Sequence, residues 1–296
     1  MTLEQLRIFV AVAERQHVTQ AAKALNLTQS AVSSAVSTLE AGHGVALFDR
    51  VGRGIVLNDA GRIFLAEARG VLARVDAAEV ALADLGGLAR GRLTIQASQT
   101  IASYWLPPRL AAFHRIYPGI AIEVAIGNTA QVARAVADGA AELGLVEGEI
   151  DDPVLSRRVI DQDRMGLFVG AGHPWAVRGP DAAPILTATP WVLREAGSGT
   201  LGALEAALTR RGLRLGDLEV ALVLPGNEAV RTAVEAGAGA AIMALSVAAS
   251  GVATGALVQI PLDLPARDFH LLRHRQRYRS KAGDAFIAMI ETAALA

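Results

Sequence analysis

The sequence predicts an α/β protein in three parts: an N-terminal winged helix-turn-helix, a long linker helix, and a two-lobed C-terminal region. Three observations predict it. Apolar residues first recur at helical spacing in three short segments; a proline-free run then carries one narrow apolar stripe; from Arg92 onward β-rich runs alternate with helices. At 296 residues the chain has room for two or three domains, each with its own core.

Composition narrows the function classes. Basic and acidic residues nearly balance, 28 against 29, and the net charge is -1, so no strongly charged partner is implied. There are no cysteines, which excludes disulfides, thiolate nucleophiles and zinc–cysteine sites. The opening MTLEQLRIFVAVAERQ is amphipathic with charge at both ends, unlike a signal peptide, and a cytoplasmic home is expected. Ala236 to Leu262 carries no charge, yet Gly237, Gly239, Gly251, Gly255 and Pro261 punctuate it. It reads as buried strand, loop, helix and strand, with no membrane partner.

Leu3, Leu6, Phe9, Val10 and Ala13 make a first amphipathic helix. Thr19 is placed to cap a short helix, Gln20 to Leu25, and after the Asn26-Leu27 turn Thr28 caps a longer one. That third helix, TQSAVSSAVSTLE, puts Val32, Ala35, Val36 and Leu39 on one side. Gln29, Ser30, Ser33, Ser34 and Ser37 fall on the other. A polar face without charge is unusual for a solvated helix, because serine competes with the backbone. Short hydroxyls and an amide, which both donate and accept, suit base edges and phosphates when a helix lies in the major groove. GVALFDRVGRGIVLNDAGR then alternates around Gly52-Arg53-Gly54 as a hairpin, with Arg50 and Arg53 at its exposed end within reach of phosphate or minor groove. Residues 1–60 hold five basic and five acidic side chains, so on pattern alone a plain helical packing unit fits these helices equally well.

These residues also resemble the winged-helix domain of the LysR-type transcriptional regulators. The likeness lies in LxxLxxFxxVAE, the pair Ala21-Ala22, LFDR at Leu47 to Arg50, and Ala60-Gly61. It implies major-groove reading by the third helix, which assigns DNA contacts to Thr28, Gln29, Ser30, Ser33, Ser34 and Ser37, with Arg50 and Arg53 on the wing. Many relatives carry arginine at the position of Ser34 and further basic residues near Ser37 and Thr38. Fewer phosphate contacts here mean weaker, less salt-dependent non-specific binding.

After Asn58-Asp59 the chain runs without proline to Gly86-Gly87. Phe64, Ala68, Val71, Val75, Ala78, Leu82 and Leu85 alternate by four and three, a heptad seam that calls for a second copy of the chain. The resemblance gives the same role, a dimerising linker helix, with Gly86-Gly87 as hinge. A dimer, or a tetramer of two dimers, then addresses two half-sites on double-stranded DNA, with RNA polymerase as a further partner.

Eight runs beyond Arg92 read as strands: LTIQA, IAIEVAIG, ELGLVEG, MGLFVGAG, TPWVLRE, EVALVL, AAIMAL and LVQIPL. Helices fall at Pro108 to Tyr117, Thr129 to Ala137, Thr200 to Arg211 and Glu228 to Ala236. A closing strand FHLLRH and a helix from Lys281 to Leu295 follow. Alternation of this kind builds α/β sheets with ligand crevices at the carboxyl ends of strands. The layout is that of periplasmic-binding-protein-like effector domains, and the LysR resemblance extends over it. The expected domains are 1–58, the linker 59–87, and an effector domain 88–296, with lobe I at 92–161 and 266–296 and lobe II at 162–265.

Four strand-to-helix junctions combine helix-start N–H groups with a hydroxyl or amide, the makings of an anion site. They are Ser98-Gln99-Thr100, Asn128-Thr129, the Arg194 to Thr200 segment with Ser198 and Gly199, and Asn227, while Arg194 adds the only fixed positive charge of the set. Each junction taken alone also suits simple capping. The GNT and REAGSGT segments resemble the branch that regulates carbon-dioxide fixation and sulfur assimilation, which implies a small anion or phosphorylated effector. Glu147 is placed near the same cleft, where a carboxylate disfavours a bare dianion unless it meets a hydroxyl or stays protonated.

Enzyme readings have little to rest on. His270 and His274 are four apart, but on a strand their rings do not meet; GAGHPW and GAGAAIM lack nucleotide-loop spacing. No cofactor or catalytic residue is expected. The alternative is an α/β enzyme or solute-binding protein with an N-terminal oligomerisation module.

Overall fold

The structure is a computed structural model that describes residues 1–52, 54–85, 91–148, 150–177 and 184–294. It contains two compact units, the first spanning Met1–Leu85 and the second holding the sheets that follow.

In the first unit, α1 (Leu3–Arg15) opens with a capping box between Thr2 and Gln5. Helix α2 (Val18–Ala24) is capped by His17, whose ring accepts from the Gln20 N–H at 3.4 Å. The expected cap, Thr19, lies inside the helix instead, because the chain is already extended at His17. Asn26 takes the left-handed conformation, φ 56°, which asparagine tolerates, and turns the chain. Thr28 Oγ1 then accepts the Ala31 N–H at 3.2 Å to start α3 (Gln29–His43). That helix runs past Leu39 until Gly44, φ 65°, ends it.

Strands β1 (Phe48–Val51) and β2 (Gly54–Leu57) pair antiparallel as the wing. Glu40 ties the wing to α3 by accepting the Leu47 and Phe48 N–H groups at 2.7 and 3.3 Å. Asn58 accepts the Gly61 N–H at 2.8 Å at the start of α4 (Asp59–Leu85). One core joins Leu6, Phe9, Leu39, Leu47, Leu57 and Ala68, and Phe9 stacks against both Phe48 and Phe64. A second joins Ile8, Val12, Ala21, Ala22 and Val32. Phe64 and Ala68 of the heptad seam therefore pack within their own unit, against the expectation that the whole seam faces a partner. Val71, Leu82 and Leu85 are exposed.

The second unit begins with β3 (Gly91–Ser98), a π-helical turn at Ile101–Trp105, α5 (Leu106–Ile116), β4 (Ile120–Gly127), α6 (Thr129–Asp138) and β5 (Leu143–Glu147). It continues through β6 (Leu155–Asp163), β7 (Met165–Gly170), α7 (Pro174–Val177), β8 (Pro190–Arg194), α8 (Gly199–Thr209), β9 (Glu219–Leu224) and α9 (Asn227–Glu235). The remainder is β10 (Ala241–Ala244), α10 (Leu245–Ala253), β11 (Leu257–Ile260), β12 (Arg267–His274) and α11 (Lys281–Ala294).

Lobe I is a sheet of order β4-β3-β5-β12-β6, with β3 parallel to β4 and β5, and β12 antiparallel to β5 and β6. Lobe II holds β10-β7-β11 and the parallel pair β8-β9, joined through a bridge from Trp191 to Ala240. Each lobe has its own core, around Trp191 and Phe168 in lobe II and around Phe113 and Phe286 in lobe I. The chain leaves lobe I after β6 and returns at β12, so both crossing segments lie side by side in one antiparallel pair. Strand β6 has no counterpart among the runs read as strands from the sequence.

Candidate functional site

Helix α3 sorts its two faces as its sequence demands. Val32 and Leu39 are 0% and 3% exposed, whereas Thr28, Gln29, Ser30, Ser33, Ser34 and Ser37 all lie on the solvent side. Only Thr28 and Ser30 engage one another, with their hydroxyls 3.1 Å apart. The core holds the helix from behind and Glu40 locks its last turns to the wing, so the polar face is presented on a rigid support. Arg50 on β1 is exposed beside it in the hairpin. Arg53 lies outside the described residues, as does the Gly86-Gly87 hinge.

In the second unit, the junctions singled out in the sequence do meet, at the seam where lobe I faces lobe II. Gln99 of lobe I donates to the Pro225 carbonyl at 2.8 Å and accepts the Asn227 N–H at 2.9 Å. Asn227 Nδ2 donates to Thr100 Oγ1 at 3.0 Å. Ala130 N–H, at the start of α6, reaches the Gly197 carbonyl at 3.3 Å, and Tyr104 donates to Glu228. Asn128 Nδ2 lies 3.4 Å from both Glu195 Oε1 and the Ala196 carbonyl. Thr129 Oγ1 donates to the Glu147 carbonyl at 2.7 Å, and Ser198 caps α8 by accepting the Thr200 N–H. Gly199 passes so close to the Glu147 backbone that a Cβ would lie 3.0 Å from its carbonyl carbon. Ser98, Thr100, Thr129, Glu147, Arg194, Ser198, Thr200 and Asn227 are all buried.

The electrostatics correct the sequence reading in one respect. Arg194 is neither free nor the only cation. Its guanidinium grips Glu195 at 2.8 and 2.9 Å and also donates to Asn227. Arg267, which sequence reasoning missed, is a second buried cation, holding Asp163 at 2.5 and 3.0 Å and reaching Thr200 Oγ1 at 3.3 Å. Glu147 stands 3.8 Å from the same guanidinium. The seam thus gathers Arg194 and Arg267 against Glu147, Asp163 and Glu195, a balance that is negative rather than positive.

Burial pushes the Asp163 carboxyl above its ordinary range, and the Arg267 hydrogen bonds only partly offset this. Burial also acts upward on Glu195, but its hydrogen bonds with Arg194 outweigh it and hold that carboxyl low. At the seam, Ser98 Oγ and Glu147 Oε1 are buried without a hydrogen-bond partner among the described residues. Glu195 sits inside the REAGSGT segment and was legible there as the neighbour of Arg194. Arg267 stands at the return crossover, a position the alternation marked without marking the residue.

His270 and His274 lie on β12, where four residues span about 13 Å, and no metal-holding cluster exists among the described residues. No described helix is long and apolar enough to cross a membrane.

A winged helix with an exposed hydroxyl-and-amide face, followed by a long helix and a two-lobed α/β unit, defines a ligand-controlled DNA-binding regulator. The comparisons specify which kind. Residues 3–62 match the bacterial regulatory helix-turn-helix protein, lysR family, and residues 86–294 match the LysR substrate binding domain. The chain belongs to the LysR family of transcription regulators, and it is not an enzyme. It is similar to the uncharacterized HTH-type transcriptional regulator YeiE of Escherichia coli (strain K12), 34% identical over 97% of this chain and 96% of the relative. A probable RuBisCO transcriptional regulator of Nostoc sp. is 31% identical over 96% of this chain and 86% of its own. In fold it resembles full-length CbnR complexed with its target DNA, with TM-score 0.70 and 21% identity over 99% of this chain and 100% of that one.

Proposed function

We propose that the regulator reads a pseudo-palindromic operator as a dimer, and that a small anionic effector bound between the two lobes sets its activity. The observation that carries the DNA half is the exposure of the uncharged α3 face on a fully packed support. Gln29, Ser30, Ser33 and Ser34 contact base edges or phosphates; Thr28, Ser37, Arg50 and Arg53 fix the register from the flanks. The working domains are 1–58, 59–87 and 88–296, with two dimers assembling as a tetramer in the cytoplasm and contacting RNA polymerase.

Support for an anion is the convergence of the helix starts at Thr100, Thr129, Ser198-Gly199-Thr200 and Asn227 at one seam with two buried arginines. The hydrogen bonds that now close the seam, between Gln99 and Asn227 and between Asn128 and Glu195, are those an effector would replace. The effector acts by binding one lobe arrangement better than the other, since equal affinity shifts nothing. A gel shift on the DNA upstream of the regulator's own gene tests the first half. Binding lost on Gln29→Ala with Ser33→Ala, at unchanged melting temperature, supports it; undiminished binding overturns it. Absence of any melting-temperature shift across a panel of small anions overturns the second half.

A further inference from the structure

Glu147 is poorly satisfied at the seam. It closes β5, is 3% exposed, and lies where α8 of lobe II presses on lobe I. Its carbonyl is taken by Thr129, but its Oε1 has no hydrogen-bond partner among the described residues. The nearest cation, Arg267, is 3.8 Å away and already spends its fork on Asp163. A buried carboxylate oxygen without a donor is costly, and such groups in native proteins call for an explanation. Ser98 Oγ, equally buried at the carboxyl end of the neighbouring parallel strand β3, is a second unfilled group.

We infer that the effector carries a hydroxyl as well as its anionic group, and that Glu147 accepts the hydrogen bond from that hydroxyl. This rests on the proposed anion site and names the chemistry within it. The anionic end then meets the helix starts and the Ser98 hydroxyl, while the hydroxyl turns toward Glu147. A bare dianion would confront Glu147, Asp163 and Glu195 together. An ammonium would also donate to Glu147, though beside the Arg267 guanidinium, so the amino analogues stand in the test as the competing donor. Recognition of this kind discriminates strongly, because a ligand lacking the donor leaves the protein's buried acceptor unpaired.

The test is matched binding by titration calorimetry on the full chain: acetate, glycolate and glycine; propionate, lactate and alanine; propyl phosphate and glycerol 3-phosphate. The hydroxylated member of at least one set binds more than tenfold tighter than its deoxy and amino counterparts. In Glu147→Met, which keeps the length of the side chain but removes the acceptor, that preference falls below threefold. The ligand-free variant melts no lower than the parent, since the Arg267–Asp163 pair survives and one buried negative charge is gone. Deoxy anions that bind as tightly as hydroxylated ones overturn the hydroxyl while leaving the anion site standing, and an amino member that binds tightest does the same. A preference that persists in Glu147→Met overturns the role of Glu147, and a lower melting temperature assigns it to structure instead. If no member of any set binds, the anion site itself falls, and this inference with it.

Discussion

Two adjacent residues, Arg194 and Glu195, show how far charge at the seam departs from a simple anion trap. Glu195 is held low in the folded state, so above the unfolded carboxylate range its ionisation stabilises the protein, and that stability is lost as pH falls through its folded value. Asp163 has the opposite sign: its folded value is raised, so ionisation costs the folded state and protonation returns that cost. Urea unfolding between pH 7 and pH 4 separates them. Glu195→Gln flattens the acid fall in stability, whereas Asp163→Asn steepens it, because the compensating proton uptake is gone. The opposite pair of slopes would mean that the Arg194 and Arg267 contacts do not set these carboxyls. At this scale the sequence was legible wherever a residue type announced its own chemistry, as serine and threonine do at helix starts. It was silent on Arg267, whose partner Asp163 is a hundred residues distant and meets it only because β12 returns beside β6.

Elements were legible where one apolar face sufficed to define them. Helix α3 needed only Val32 and Leu39 inward, and strands β7 and β10, buried throughout, read as unbroken apolar runs. Strand β6 escaped because LSRRVIDQD carries charge along most of its length. It lies at the edge of the lobe I sheet with Val159 exposed, and edge strands mask their pattern with such side chains. The cap of α2 escaped because a histidine ring accepted where a threonine was expected. The glycine at the head of α4 has a reason the motif alone does not give. A Cβ on Gly61 would lie 2.6 Å from Leu57 Cδ2 and meet the Leu47 carbonyl as well, so the helix passes the wing with no room for a side chain. Gly61→Ala therefore destabilises the first unit by about 1–3 kcal/mol. Phe9→Ala, which empties the aromatic cluster with Phe48 and Phe64, costs about 3–5 kcal/mol. Thermal unfolding followed by circular dichroism reads both. A Gly61→Ala protein that melts with the parent would show that the wing yields freely.

For the molecule as a whole, the decisive feature is what α4 leaves uncovered. Its first turns bury Phe64 and Ala68 at home, but Leu82 and Leu85 are 70% and 84% exposed and Val71 is 42% exposed. Large aliphatic side chains repeated on one stripe of a 27-residue helix, some 40 Å long, are the mark of an interface. A single α3 face offers few charges to phosphate, so one winged helix alone binds DNA weakly. Linking two turns the second encounter into an intramolecular one and multiplies affinity by roughly 10²–10⁴ without a new contact. On the proposed reading, dimerisation through α4 is what makes an uncharged reading face sufficient. Leu82→Glu together with Val71→Glu should convert the dimer to monomer in sedimentation velocity, at little cost to either unit's melting because both positions are already in water. Operator binding then falls by at least a hundredfold while the α3 face is untouched. A variant that stays dimeric would move the interface off this helix. A monomer that binds its operator as tightly as the parent would show that one uncharged face suffices.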